Sequence, residues 1–432
     1  MAGKGDINKK EIQPEFASSW LTISFESVLE KTSITHKLKS KDFFSEGLYP
    51  VVDQGGNLIS GFINDVSKLY NGELPIVVFG DHTRNIKFID FKFAVGADGT
   101  KILKAKKGIN DKFLYYYLLS LNIPDFGYSR HYSIFKELDF PLPPLAEQER
   151  IVTKLDTLFA QHEIMKKALN RIPQLLKDFR QQVLTQAVTG KLTEQWRKGK
   201  SLLEWKIDII KNITSKLGSG STPRGGSDTY LAEGIPLVRS MNIVFGGIKL
   251  HGLAFINESQ AKALRNSEIQ FEDILLNITG ASIGRLCLAD KIVTGGRVNQ
   301  HVFIIRPWTD IVLPKYLESY LCSNLIQRFI EEKKYGAGME AISKNQIENF
   351  EINLPPLQEQ QEIVCRIESL FGKADAIEVR YIKLKEKITS LPQALLHKAF
   401  KGELVPQLPT DGDAKDLLAE IMALKKEVKK KK

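Results

Sequence analysis

Side chains able to pair with nucleic-acid bases recur in short polar stretches of this chain. Arg and Lys can donate to a guanine edge, and Asn and Gln can bond an adenine edge through two atoms. One series comprises Gln54 and Asn57; His82, Thr83 and Arg84; and Tyr128, Arg130 and His131. A second comprises Thr222 and Arg224; Arg239 and Asn242; Thr279, Ser282 and Arg285; Arg297, Asn299 and Gln300; and Lys344 and Asn345. Each position also suits a phosphate contact, because most protein–DNA hydrogen bonds go to the backbone. Catalytic patterns are missing beside them. There is no GxxxxGK[ST] phosphate loop and no Asn/Asp-Pro-Pro-aromatic segment of the kind used for amino methylation. Pro143-Pro144 and Pro355-Pro356 follow leucine and do not replace that segment. The glycines from Gly218 to Gly226 do not form a strand-to-helix nucleotide fingerprint and read as a surface loop. Asp81 and His82 are adjacent, and neighbours in a strand or loop usually point apart. Cys287, Cys322 and Cys365 are too far apart for a CxxC metal pair. The expectation is no catalytic residue, no metal and no cofactor in this chain.

The 432 residues allow two or three domains. A hydrophobic fraction of 43% is ordinary for a soluble protein, and no apolar run reaches the ~18 residues of a membrane span. Met1 to Lys10 lacks the apolar stretch of a signal peptide, so the cytoplasm is the expected location. A net charge of +10 favours a polyanionic partner. Part of that excess lies in Lys425 to Lys432, which reads as a solvated helix end.

The elements that must position the polar stretches are marked by a repeat at a constant offset of 212 residues. Leu142-Pro143-Pro144-Leu145, Glu147-Gln148 and Ile151-Val152 match Leu354-Pro355-Pro356-Leu357, Glu359-Gln360 and Ile363-Val364. Ala187, Gly190 and Leu192 still match Ala399, Gly402 and Leu404. Two segments that share a length suggest two spacers. Each opens on an alternating run (Leu138, Phe140, Leu142; Phe350, Ile352, Leu354) that predicts a short strand ended by the double proline. A seam of three- and four-residue steps follows. It runs through Leu155, Leu158, His162, Met165, Leu169, Ile172, Leu176, Phe179 and Val183 in the first copy. In the second it runs through Ile367, Leu370, Ala374, Ile377, Tyr381, Leu384, Ile388, Leu391 and Leu395. This heptad spacing predicts a coiled coil, with His162 as a tolerated or register-setting polar residue. Pro173 and Pro392 each predict a kink or a split, and Gly190 and Gly402 predict helix stops. Forty helical residues would span roughly 60 Å, more than one DNA turn of ~34 Å.

The intervening blocks read as mixed helix and strand. Strands are predicted at 75–79 and 86–91 around the loop Gly80–Asn85, with a helix at 114–119. In the second block strands are predicted at 235–239, 273–278 and 301–305, with a helix at 315–321. Trp20 and Trp205 would mark corresponding starts of divergent versions of one fold.

With these motifs in place, the chain resembles the specificity (S) subunit of Type I restriction-modification enzymes over nearly its whole length. The specific elements are the two LPPLxEQ openings and the helix ends Ala-Val-Thr-Gly-Lys-Leu and Ala-Phe-Lys-Gly-Glu-Leu. Gly218–Arg224, Ile274–Gly280 and Val298–His301 resemble one class of recognition domain, and Tyr49–Gly56 with Phe79–Thr83 another. The resemblance implies an α+β chain in which two target recognition domains alternate with two helical regions paired as an antiparallel coiled coil, with pseudo-twofold symmetry. The implied bounds are a 1–19 extension, recognition domains at 20–140 and 198–352, helical regions at 141–197 and 353–407, and a 408–432 tail. Implied partners are double-stranded DNA, two methyltransferase subunits and, through the complex, two motor-nuclease subunits. S-adenosylmethionine, ATP and Mg would belong to those partners. Unlike recognition domains imply an asymmetric bipartite target. The residues alone leave two other readings open: a self-contained modification enzyme with an unrecognised active site, and a coiled-coil scaffold that binds only protein.

Overall fold

A computed structural model describes residues 9–125, 127, 130–333 and 340–430, with side chains in the last helix described to residue 423. The chain divides into two compact units, the first assembled from the two ends of the sequence and the second from its middle. One comprises residues 1–169 and 383–432, the other residues 170–382.

In the first unit, strand Leu21–Ser24 pairs antiparallel with Asp139–Leu142, so the two ends of the block meet. Strand Ile76–Gly80 lies between Ile86–Ile89 and Thr100–Leu103, antiparallel to both. A smaller sheet places Tyr49–Val52 antiparallel to Gly61–Ile63 and parallel to Ala94–Val95. Helix Asp111–Ser120 is N-capped by Asn110, whose side chain accepts from the amides of Lys112 and Phe113. Its buried face joins Phe25, Phe135, Phe140 and Phe400 in a core rich in aromatic side chains.

The second unit repeats this plan with different residues. Strands Lys206–Ile209 and Glu351–Leu354 close the block. Strand Ile274–Asn277 lies between Leu286–Leu288 and Val302–Pro307, and Thr214–Ser219 extends the sheet to four strands. Strand Ile235–Val238 is antiparallel to Ala254–Ile256 and parallel to Arg297–Val298. Helix Pro314–Leu321 occupies the place of Asp111–Ser120.

The LPPLxEQ repeat has a physical explanation in this pairing of plans. Trp20 Nε1 donates to Glu147 Oε1 at 3.1 Å, and Trp205 Nε1 donates to Glu359 Oε2 at 2.9 Å. Gln148 Oε1 accepts from the Asn110 amide, at the start of helix Asp111–Ser120, at 2.9 Å. Gln360 Oε1 accepts from the Leu313 amide, at the start of helix Pro314–Leu321, at 2.8 Å. Each repeat thus fastens its block through one buried carboxylate and one buried amide.

Helices Leu145–Leu169 and Ile172–Val188 are separate, whereas Leu357–Phe400 runs unbroken. Pro173 therefore sits in the first turn of a new helix, where its missing N–H is not needed. Pro392 lies inside a continuous helix and does not split it. A uniformly buried seam is also not found. Leu155, His162, Leu169, Leu176 and Val183 are buried at seven-residue steps, as are Ile367 and Ala374 with Ile388 two steps on, while Leu158, Ile172, Leu370 and Leu391 are half-buried. Met165, Ile377 and Leu384 are exposed. One of the two heptad positions faces inward and the other is turned toward solvent over much of the length.

Residues 9–19 form part of the first unit. Gln13 Nε2 donates to Asp139 O at 2.6 Å and to the Tyr117 hydroxyl at 3.0 Å, and Ile12 enters the core. In the C-terminal helix Ala414–Lys430, Leu417 and Ile421 are buried in the same core, and the side chains of Lys425 to Lys432 lie outside the described residues.

Candidate nucleic-acid interface

Two strand ends bring the first set of recognition candidates together. The chain leaves strand Tyr49–Val52 into the loop that carries Gln54 and Asn57, and leaves Ile76–Gly80 into the loop that carries His82, Thr83 and Arg84. Gln54 joins the loops. Its Oε1 accepts from the His82 amide at 3.2 Å, and its backbone carbonyl accepts from Asn85 Nδ2 at 2.9 Å and from the Thr83 hydroxyl. Beneath them the buried Lys87 ammonium donates to Asp53 O at 2.8 Å and to Asn57 O, with the Asp53 carboxylate 3.7 Å away. Burial pushes the Lys87 pKa down and Asp53 opposes that shift. This lysine is a template for the 53–57 loop. Lys87 is not among the sequence-based candidates, although it lies in the strand predicted at 86–91.

Several candidates in this unit hold structure instead of facing solvent. Arg84 has φ 61° and spends its guanidinium on Ile123 O at 3.0 Å and Asp125 at 2.6 Å. His131 is fully buried, with Nδ1 2.9 Å from Asp81 O, and is removed as a base-reading candidate. Asp81 is buried too, accepting from the Tyr132 amide at 2.8 Å, while His82 is half-buried, so the adjacent pair does not share one site. Arg130 is exposed, and Tyr128 lies outside the described residues.

The second unit gathers its candidates from three loops into one polar chain. Thr222 donates its hydroxyl hydrogen to Gln300 Oε1. Gln300 Nε2 lies 3.1 Å from His301 Nε2, and His301 Nδ1 lies 2.7 Å from Thr279 Oγ1. Because an amide nitrogen only donates, His301 Nε2 accepts and Nδ1 carries the proton toward Thr279. Asn299 Oδ1 accepts from the His301 amide at 3.1 Å and orients the segment. Gly220 makes the arrangement possible. A Cβ there would lie 1.7 Å from Val298 O, so only glycine lets the 218–224 loop approach and set Thr222 beside Gln300. The loop is therefore a fitted element. His301 is the member of this network absent from the sequence-based candidates, although it follows Asn299 and Gln300 directly.

Other candidates of this block are structural. Arg297 is buried and donates to Ala261 O, Gly295 O and Gly296 O at 2.6–3.0 Å, with Glu268 3.0 Å away. Asn242 is fully buried, accepting from the Arg239 amide and donating to Lys249 O. Asn299 is buried in its loop-orienting role. Arg239 donates to Gly252 O at 2.6 Å and lies over the Tyr230 ring. Ser282 accepts from the buried Asn277 side chain at 3.2 Å. Lys344 and Asn345 stay exposed, Lys344 3.5 Å from Glu348 and Asn345 accepting from Asn349. Arg224 and Arg285 are exposed and make no ion pair among the described residues. What faces outward, wholly or in part, in this block is two hydroxyls, an imidazole, two guanidiniums, an ammonium and the amides of Gln300 and Asn345, a set suited to hydrogen-bonding base edges and phosphates. Burial pushes the Cys287 thiol up to about 12, which leaves it a packed apolar group and not a nucleophile. Among the described residues no helix is long and apolar enough to cross a membrane.

Comparison with known proteins supplies the family. The model for the Type I restriction modification DNA specificity domain matches residues 18–174 and again residues 205–386. The chain is 30% identical over 421 residues to the Type I restriction enzyme EcoBI specificity subunit of Escherichia coli, covering 90% of this chain and 87% of that one. It is 33% identical over 282 residues to the EcoKI specificity subunit of Escherichia coli K12, covering 63% of this chain and 59% of that one. The crystal structure of an HsdS subunit from Thermoanaerobacter tengcongensis aligns with a TM-score of 0.59 at 19% identity, covering 90% of this chain and 98% of that one. Two family matches, one on each copy of the strand-and-helix plan, place this chain in the Type I restriction-modification DNA specificity family.

Proposed function

We propose that this chain reads an asymmetric bipartite sequence in duplex DNA and presents it to partner subunits that methylate adenine or cleave. The observation that carries the reading is the pair of blocks with one plan but unlike outward groups. The first offers the Gln54–His82–Thr83 cluster and Arg130. The second offers the Thr222–Gln300–His301–Thr279 chain with Arg224 and Arg285. Different donor sets select different base edges, so the two half-sites differ. Recognition domains at 20–140 and 198–352 carry these groups. The helical regions at 141–197 and 353–407 pair as an antiparallel coiled coil, fix the number of unspecified base pairs between the half-sites, and dock two methyltransferase subunits. Two motor-nuclease subunits join through that complex. The chain itself is non-catalytic and cytoplasmic, and S-adenosylmethionine, ATP and Mg act on the partners.

The test replaces residues 20–140 with a different recognition domain and maps methylated bases genome-wide in cells that carry the partner subunits. One half-site should change while the other and the gap persist. A change in both halves would overturn independent reading.

A further inference from the structure

We infer that His162 sets the register of the helical pair in the first unit by bonding the one carbonyl that Pro392 leaves without a helical donor. In an α-helix the carbonyl of residue i accepts from the N–H of residue i+4. Residue 392 stands four places after Ile388 and, being proline, has no N–H. The helix continues through it nonetheless, so the Ile388 carbonyl lacks its helical partner. His162 Nε2, on helix Leu145–Leu169, lies 2.9 Å from that oxygen. Both residues are buried, at 6% and 8% exposure. A carbonyl only accepts, so Nε2 is the protonated nitrogen.

The second copy shows that the histidine answers the proline. At the same 212-residue offset, Ala374 stands for His162, Leu176 for Ile388 and Arg180 for Pro392. Arg180 has an N–H, so there is no donor gap, and a small buried alanine suffices where the histidine stood. The helices of the second unit are tied by that same Arg180 instead, whose Nη2 lies 2.7 Å from Asp375 and 2.8 Å from Glu378. Equivalent positions therefore hold the helices by unlike chemistry, an arginine–carboxylate pair in one unit and an imidazole–carbonyl bond in the other.

The bond specifies register because its acceptor is unique locally. The carbonyls on either side of Ile388 keep their helical donors. A slip of one turn, about 5.4 Å, would bury both an unpaired imidazole N–H and an unpaired carbonyl. A polar group at one seam position fixes register in helical pairs in this way. The consequence for DNA rests on the proposed role of the helices as a spacer: His162 is a positioning residue that keeps one gap length.

A double-mutant cycle on the full chain tests the lock through urea unfolding of wild type, H162L, P392A and H162L/P392A. H162L should weaken the folding equilibrium by on the order of tenfold. In the P392A background, where Ile388 regains a backbone donor, the same change should cost less than about threefold. H162Q keeps a side-chain donor and should restore most of the loss. Equal losses in both backgrounds would overturn the lock. If H162L is insoluble, recovery of soluble protein in H162L/P392A supports it and continued insolubility overturns it. Methylation mapping with partner subunits separates the two layers. H162L should spread the gap over more than one length, and H162L/P392A should return it to one. Thermodynamic coupling with an unchanged single gap would keep the lock and overturn the spacer reading.

Discussion

At the scale of residues, burial divides groups that look equally suited to DNA. Arg297 and Arg224 are both arginines in polar loops. One is spent on three backbone carbonyls and Glu268, and the other is exposed. R297A should cost roughly 2–4 kcal/mol of stability, because it strips buried carbonyls of their donors. R224A should stay within about 0.5 kcal/mol of wild type. It should weaken DNA binding and reduce the salt dependence of affinity by about one counterion. Urea unfolding and fluorescence titration at several salt concentrations measure both. Glu147 offers a pH test. Burial pushes its carboxyl up, while bonds from Trp20 and Gln407 pull it down. The folded chain thus holds this proton more tightly than the unfolded chain. The contribution is full below the ordinary carboxylate range and is lost as pH rises through the raised value. E147Q retains an oxygen that can accept from Trp20. Its unfolding midpoint should fall less steeply than wild type's from about pH 4 upward.

At the scale of elements, the helical regions are amphipathic in an uneven way. Leu169 is 5% exposed, whereas Leu384, also a seam residue by spacing, is 46% exposed. L169D should destabilise the chain by about 3 kcal/mol or more, since it buries an unpaired charge. L384D should leave the unfolding free energy within about 0.5 kcal/mol of wild type. Its effect should appear in assembly, as loss of co-elution with the methyltransferase subunit on size exclusion. Equal destabilisation by both would mean that Leu384 packs inward in solution. The strand pairs that close each block, Leu21–Ser24 with Asp139–Leu142 and Lys206–Ile209 with Glu351–Leu354, explain why each spacer opens on an alternating run. That run is the last strand of the block before it, and the double proline ends its ladder.

At the scale of the molecule, one compact unit is a contiguous piece of chain, residues 170–382, and the other is built from the two ends. Residues 383–432 complete the unit that begins at the N-terminus. The Ala17 amide donates to Phe400 O at 3.1 Å, and Arg150 pairs with Asp411 through both terminal guanidinium nitrogens. A chain truncated after Gly412 loses Leu417 and Ile421 from the first unit's core. The expected cost is about 3 kcal/mol, from apolar burial of ~1.5–3 kcal/mol per large side chain. Hydrogen exchange should quicken in helix Asp111–Ser120 and stay unchanged in Pro314–Leu321. Equal acceleration in both would show that the two units do not unfold separately.

The sequence by itself determined the repeat, the strand-to-helix change at each double proline, the strands near 76–80, 86–89, 235–238, 274–277 and 302–307, and the helices near 111–120 and 314–321. These follow from local periodicity and from residues whose backbone chemistry is restrictive. The family resemblance rested on the same motifs. Tertiary structure decided which polar residues face outward. His131, Asn242, Arg297 and Asn299 have the same side-chain chemistry as exposed residues near them, and only packing against distant strands makes them internal. The fate of the two prolines was also tertiary. Pro173 falls in the first turn of a new helix, whereas Pro392 lies inside a continuous one, and the carbonyl it leaves without a helical donor is met by His162, 230 positions earlier in the chain. Spacing within a segment cannot report a partner that the fold delivers from another segment.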